Sequence, residues 1–236
     1  MMNWQLEALA HAKKEAPSEA CGLVLCIKGK KIYKPCKNIS TTPKDHFILC
    51  PTDWAEAEDS GEILAVFHSH TILGPEPTPA DLSSCEKLKK TWYICNPYTE
   101  EWKTVMPTKW ISPLYGRTWI WGVHDCWTLV QDWYKQERGI VLRDWNRPAD
   151  PEEFRLNPYF DKCFEETGFR ELKENEPLRY GDSIFFSLNS KGLNHMGVFL
   201  NDCVAHHVQG RLSSRDIYGE YLLKCTGKRL RYVENN

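Results

Sequence analysis

The chain has no Cys-x-x-Cys pair, although it carries ten cysteines in 236 residues. They are scattered: Cys21, Cys26, Cys36, Cys50, Cys85 and Cys95, then Cys126, Cys163, Cys203 and Cys225. Several sit in apolar strand-like runs. That pattern points to reduced, buried thiols in a reducing compartment and argues against a disulfide framework. An excess of one charge sign is also missing. Lys plus Arg number 30 against 32 for Asp plus Glu, so the electrostatic footprint of a nucleic-acid partner is absent. No apolar run approaches the length of a membrane span. The opening "MMNWQLEALAHAKKEAP" reads as a polar-faced helix and not as a signal peptide. There is no internal repeat and no low-complexity tract. What remains is a chain of ordinary globular composition, long enough for one large or two small domains with a proper core. Its ten Trp imply aromatic packing, with some Trp expected at the surface for a partner interface.

The first half alternates short elements. A helix is expected from Trp4 to Glu15. Strands follow in "CGLVLCIKG" and "KKIYKPCKN", with a turn at Gly29. "PTDWAEAEDSGE" reads as a helix capped by Thr52. "ILAVFHSH" is apolar on both faces and reads as a buried strand. "TPADLSSCEKLKK" then gives a capped helix and "TWYICNP" another strand. This is an α/β unit over residues 1–107. "MPTKWISPLYGRTW" breaks the pattern, and the domain boundary is placed between Pro107 and Pro113. The second half, residues 113–236, opens with a helix from Asp125 to Glu137. A polar helical region runs through "DPEEFRLNPYFDKCFEETGF". Strands follow in "DSIFFSL", "NHMGVFLN", "CVAHHVQ" and "KRLRYVE". A helix packed on a small antiparallel sheet makes this half, and the chain as a whole, α+β.

Two constellations carry chemistry. In "FHSHTILGPEPTPADLSSC", His68 and His70 alternate along a strand and share a face. Two imidazoles so placed can converge on one Zn²⁺. The loop from Thr71 to Thr78 returns the chain, and Asp81 in the first turn of the next helix can be the third ligand, leaving a position for water. The same Thr78-x-x-Asp81 spacing is also a helix-capping pattern, and two His at a strand end can be merely polar. Glu19, before the first apolar strand, is a candidate proton acceptor for the water, or a solvated Glu.

Glu19, His68-Ser69-His70 and Thr78-Pro79-Ala80-Asp81 together resemble the JAMM (Mov34-type) zinc peptidases. Their pattern is Glu, then His-x-His, seven residues, Ser, two residues and Asp, and "SEACGLVL" is similar to their entry strand. The resemblance implies that His68, His70 and Asp81 bind Zn²⁺ and that Glu19 is the general acid/base for the zinc-bound water. It assigns the position of Thr78 to oxyanion stabilisation. The family has Ser there; Thr keeps the hydroxyl and adds a methyl.

The second constellation is "WGVHDCWTLVQDWY". Cys126 opens a helix, where the dipole and free amides stabilise a thiolate. A partly exposed thiol of lowered pKa is therefore expected. It needs a base and an orienting group. His195 begins one strand, and His206 and His207 end the next, across a hairpin at Asn201-Asp202. Imidazoles on adjacent strands can line up. They could also form a metal site or lie on the surface.

"HDCWTLV", "LRYGDSIFF" and "NHMGVFL" resemble the NlpC-type papain-like cysteine peptidases. The resemblance implies Cys126 as nucleophile, His195 as base and His206 or His207 as the third residue. The register of "HHVQG" favours His206. Tyr115 falls where a Tyr often lines the nucleophile pocket, and Trp127, where Ser is frequent, is expected to shape the substrate groove. Both domains in this order, with "HHVQGRLSSRDIYG", are similar to a family of tail tip proteins of lambdoid phages. That likeness implies a two-site peptidase acting in tail assembly or genome entry. Its partners would be other tail tip proteins, and its substrate a peptide or a peptidoglycan stem peptide. It would work in the host cytoplasm during assembly or at the virion tail tip. The alternatives are a structural assembly factor with one or both sites inactive, and a protease that trims tail proteins.

Overall fold

The computed structural model describes residues 2–145, 147–156, 160 and 164–233. The chain divides into two compact units that meet between Ile111 and Ser112.

The first unit contains α1 (Asn3–Glu15), β1 (Cys21–Ile27), β2 (Lys30–Cys36), α2 (Pro51–Ser60) and β3 (Glu62–Ser69), followed by α3 (Pro79–Leu88), β4 (Thr91–Cys95) and β5 (Trp102–Val105). The five strands form one mixed sheet in the order β2-β1-β3-β4-β5. Only β3 and β4 run parallel, with α3 as their crossover. Lys28 and Gly29 both take positive φ, which gives the β1–β2 hairpin its tight two-residue turn. The sheet is buried on both faces, so β1 and β3 read as continuous apolar runs. Strand alternation sorts their residues. Cys21, Leu23, Leu25 and Val66 pack with Ala57 of α2 and Cys85 of α3. Val24, Ala65 and Phe67 pack instead with Trp4, Ala8 and Ala12 of α1. Gly22 is required on the α1 side, because a Cβ there would stand 2.4 Å from the Tyr33 hydroxyl. Thr52 does not cap α2. Pro51 takes the first helical position with Cys50 as the cap residue, since Pro has no N–H to satisfy there.

The second unit contains α4 (Cys126–Arg138), α5 (Pro151–Leu156) and a 3₁₀ turn (Glu165–Thr167). Strands β6 (Phe169–Glu171), β7 (Ser183–Phe186), β8 (His195–Leu200), β9 (Cys203–His206) and β10 (Ser214–Ile217) come next, and α6 (Glu220–Cys225) and β11 (Thr226–Tyr232) close it. The six strands form an antiparallel sheet in the order β10-β9-β8-β7-β11-β6. Leu129, Val130, Trp133 and Tyr134 of α4 pack on Phe185, Met196, Val198 and Ala205 of the sheet. The start of α4 is fixed by a reciprocal cap. Asp125 accepts the Thr128 N–H at 3.0 Å, and Thr128 Oγ1 accepts the Asp125 N–H at 2.8 Å. Gly139, at φ 67°, ends it.

Of the polar helical region, α5 and the 3₁₀ turn are seen, and the rest of that expectation, with Cys163, lies outside the described residues. The other nine cysteines are free thiols, but Cys26, Cys50, Cys203 and Cys225 are partly exposed, not buried. The expectation of surface Trp is corrected. All ten Trp are buried or half-buried, which leaves none as an exposed interface residue. No helix among the described residues is long and apolar enough to cross a membrane.

Candidate active sites

In the first unit the register of β1 against β3 pairs Cys21 with His68. The Ser69 N–H donates to Ala20 O at 3.0 Å, so one step further along Glu19 falls opposite His70. His70 is held to the neighbouring strand end by its N–H to Cys95 O, 2.9 Å. His68 and His70 thus project from the sheet face that α3 covers, and the first turn of α3 delivers Asp81 to them. All three are buried, as is Glu19.

His68 Nε2 lies 3.0 Å from His70 Nε2, and 3.2 Å from Asp81 Oδ1. His70 Nε2 lies 3.3 Å from Asp81 Oδ2. Ligands bound tetrahedrally at 2.0–2.1 Å stand about 3.3 Å from one another. The two imidazole nitrogens lie within that range of each other, and each lies within it of one Asp81 oxygen, a different oxygen in each case. His70 Nδ1 lies 3.0 Å from Gly74 O; donating there leaves Nε2 with its lone pair toward the other two ligands. Phe47 stacks on the His68 ring at 4.7 Å and Trp92 meets it edge-on at 5.4 Å, which fixes its orientation. Two imidazoles and one carboxylate are a donor set suited to Zn²⁺.

Burial works to raise the Asp81 carboxyl, but the charges and hydrogen bonds of His68 and His70 hold it far below the usual carboxylate range. Burial pushes Glu19 up to about 8, against the pull of His70 and with help from Asp81 and Asp45. A divalent cation at the trio would act on Glu19 in the opposite direction. Thr78 is used as a cap. Its Oγ1 accepts the Asp81 N–H at 3.2 Å and donates to Asp81 Oδ2 at 2.8 Å, and its own N–H donates to the same oxygen at 2.7 Å. The capping reading of this turn is therefore realised, and the Thr78 hydroxyl proton is engaged by Asp81, the candidate third ligand. Sequence reasoning missed His46, whose buried Nε2 has no hydrogen-bond partner among the described residues and which feels the charges of Asp81 and His68. It lies in the loop between β2 and α2, where no spacing marks it.

In the second unit Cys126 is the first residue of α4. Its thiol lies against the backbone of Met196, the residue after His195, and of Trp127. Both lower its pKa, as N–H donors do. They do not prevail. Cys126 is 7% exposed, and burial first, then the Asp125 charge, pushes the thiol up to about 12. The expectation of a partly exposed, low-pKa thiolate is corrected accordingly: desolvation of the thiolate outweighs the helix terminus.

His195 Nε2 lies 3.1 Å from His206 Nδ1 across the β8–β9 hairpin. Burial, then His206 and His207, push His195 well below its ordinary value, so the imidazole is neutral. The structure brings His206 to His195 and points His207 elsewhere, as alternation along a strand requires. His207 is fully buried beside Asp125, with the backbone of Arg211 and of Arg117 against its ring. Tyr115 packs against the cluster that contains Cys126, with Arg215 over its ring at 4.9 Å. Trp127 does not shape a groove. It is 1% exposed, donates to Asp144 Oδ1 at 2.9 Å and stacks on Trp145 at 4.2 Å.

Two further charged groups escaped the sequence reading. Asp216 reaches His206, and Arg147 pairs with the fully buried Asp125. Asp125→Ala removes the α4 cap and leaves Arg147, 8% exposed, without its partner. A loss of about 3–5 kcal/mol is expected for the second unit, read as a lowered urea midpoint of its own unfolding transition.

The prokaryotic homologs of the JAB domain match residues 2–107, and the NlpC/P60 family matches residues 116–231. The chain is 34% identical over 233 residues to tail tip assembly protein K of Escherichia phage N15, covering 96% of this chain and 93% of that protein. It is 31% identical over 174 residues to tail tip assembly protein K of Escherichia phage lambda, covering 72% and 82%. Among solved structures it is similar to a JAB1/MPN domain protein from Archaeoglobus fulgidus, 24% identical, with 44% of this chain and 82% of that chain covered and a TM-score of 0.29.

Proposed function

Because the chain belongs to the family of the phage tail tip assembly protein K, with a JAB-type domain followed by an NlpC/P60 domain, we propose that it is a tail tip assembly factor bearing two separate peptidase sites. The first is a zinc-dependent peptidase. The gathering of His68, His70 and Asp81 carries this reading, since the two imidazole nitrogens stand 3.0 Å apart, each meets one Asp81 carboxylate oxygen at 3.2 or 3.3 Å, and the buried carboxyl of Glu19 belongs to the same site. A bound Zn²⁺ supplies Lewis acidity toward a water and a peptide carbonyl. Glu19 holds the transferred proton on its carboxyl and delivers it to the leaving amine, a role that its tendency to stay protonated suits. Thr78 keeps Asp81 oriented through the cap.

The second site is a thiol peptidase. Cys126 attacks the carbonyl as its proton passes to His195, and His206 orients the His195 ring. Since both Cys126 and His195 rest neutral, the proton moves during attack and not before it. The substrate is a peptide or a peptidoglycan stem peptide, and other tail tip proteins are the partners. The protein acts in the host cytoplasm during assembly or at the virion tail tip.

The test is incubation of purified protein with muropeptides and with tail tip proteins, with and without a chelator or a thiol-alkylating agent. Each reagent should silence one activity and spare the other. Metal analysis should find one zinc per chain, lost in His68→Ala. A chain with no zinc after purification in zinc-supplemented buffer would remove the first site. The second reading, a structural factor with inactive sites, is favoured by the buried Cys126 and the engaged Thr78 hydroxyl. It gains if neither reagent affects any cleavage.

A further inference from the structure

The polar line in the second unit does not end at His206. β10 pairs with β9 so that Ser214 lies opposite His206 and Asp216 opposite Val204. Cross-strand neighbours share a face, so Asp216 leans diagonally toward the His206 ring. Asp216 Oδ2 stands 3.2 Å from His206 Nε2, at ion-pair range though off the N–H axis, and it is the carboxylate that this buried nitrogen faces. Asp216 is itself held. Ser214 Oγ donates to Oδ1 at 2.8 Å, and Arg211 Nη1 lies 3.1 Å from Oδ2.

We propose that Asp216 is a positioning residue that sets the tautomers of both His206 and His195. The proposal rests on the thiol-peptidase reading of the second unit. A carboxylate accepts only, so His206 must carry its proton on Nε2. His206 Nδ1 is then an acceptor, and the facing His195 Nε2 must be the donor. That leaves His195 Nδ1 unprotonated, which is the form able to take the Cys126 proton. Without Asp216 the chain can invert. His206 would donate from Nδ1, His195 would accept at Nε2, and His195 Nδ1 would carry a proton and cease to be a base. Burial opposes ionisation of Asp216, but Ser214, His206 and Arg211 keep its carboxyl below the ordinary range, so it stays an acceptor. Among the described residues His206 and His207, and no carboxylate, act on His195, so the information travels through one intervening ring.

The experiment is ¹⁵N NMR of the histidine rings in the full-length protein at neutral pH, with peptide turnover measured in parallel. In the native chain both His195 and His206 should be the Nε2–H tautomer. Asp216→Asn can donate as well as accept, so a population of His206 with Nδ1–H should appear and turnover should fall about 10–100-fold. Asp216→Glu should restore the native tautomer and most of the rate. The proposal is overturned by His206 protonated on Nδ1 in the native chain, or by an unchanged His206 tautomer in Asp216→Asn whatever its turnover. If Asp216→Asn does not fold, the native spectrum and Asp216→Glu decide. Equal cleavage by Cys126→Ala and the native chain would sink the thiol-peptidase reading, and the ring spectra would still judge Asp216.

Discussion

Glu19→Gln is expected to retain one zinc per chain and to lose about 10²–10⁴-fold of the chelator-sensitive peptide hydrolysis. Gln preserves the shape of Glu19 and cannot hold a transferred proton. His68, His70 and Asp81 offer three candidate ligands without residue 19, so the proposed metal set does not require the Glu19 carboxylate, although its charge acts on His70. Zinc content measured by mass spectrometry and hydrolysis measured in the same samples separate the two roles. Loss of zinc in Glu19→Gln would make residue 19 a ligand and undo the division of labour. The pH profile gives a second reading. Burial, against the pull of His70 and with help from Asp81 and Asp45, holds the Glu19 proton up to about 8, and a neighbouring cation draws that value down. The acid limb of the zinc-dependent rate should therefore lie below pH 8, and it should be missing from whatever rate Glu19→Gln retains.

The first site was legible because its parts are written into short spacings. His-x-His on a strand, a return loop and an Asp in a first helical turn are local geometry, and a β-strand and an α-helix convert them directly into positions. The placement of Glu19 depends on β1–β3 register, which the sequence does not state, and the family resemblance supplied it. The second site was less legible. Alternation decided that His206 and His207 diverge, yet only the hairpin register shows which of them meets His195. Asp216 was missed because β10 was not recognised: "SRDI" is polar, half-exposed and at a sheet edge, so it lacks the apolar alternation that marks a strand. β5, in "WKTV", escaped for the same reason. The thiol of Cys126 was misjudged for a different cause. A helix N-terminus can be read from sequence, but the depth at which the fold buries it cannot, and here burial is the larger effect.

That last difference makes the chemistry of Cys126 the sharpest test of the second unit. Cys126 is expected to react with iodoacetamide more slowly than free cysteine at pH 7. Its rate should climb roughly tenfold per pH unit through pH 9 without reaching a plateau, because a free thiol ionises near 8.5 and burial pushes this one up to about 12. Partly exposed Cys203 and Cys225 should be modified first. A stored thiolate–imidazolium pair would behave otherwise, with fast modification and a flat profile above neutrality; that outcome would mean that His195 holds the proton at rest. Under the neutral-pair arrangement His195 matters when substrate arrives. His195→Ala should lower thiol-dependent turnover by about 10²–10⁴-fold near neutral pH, while alkylation at pH 9, where hydroxide can take the proton, should change little. Cys126→Ala should abolish that turnover and leave the zinc-dependent activity intact. Equal loss of turnover and of high-pH alkylation in His195→Ala would instead indicate that His195 maintains access to the thiol, and general-base transfer from Cys126 to His195 would have to be abandoned.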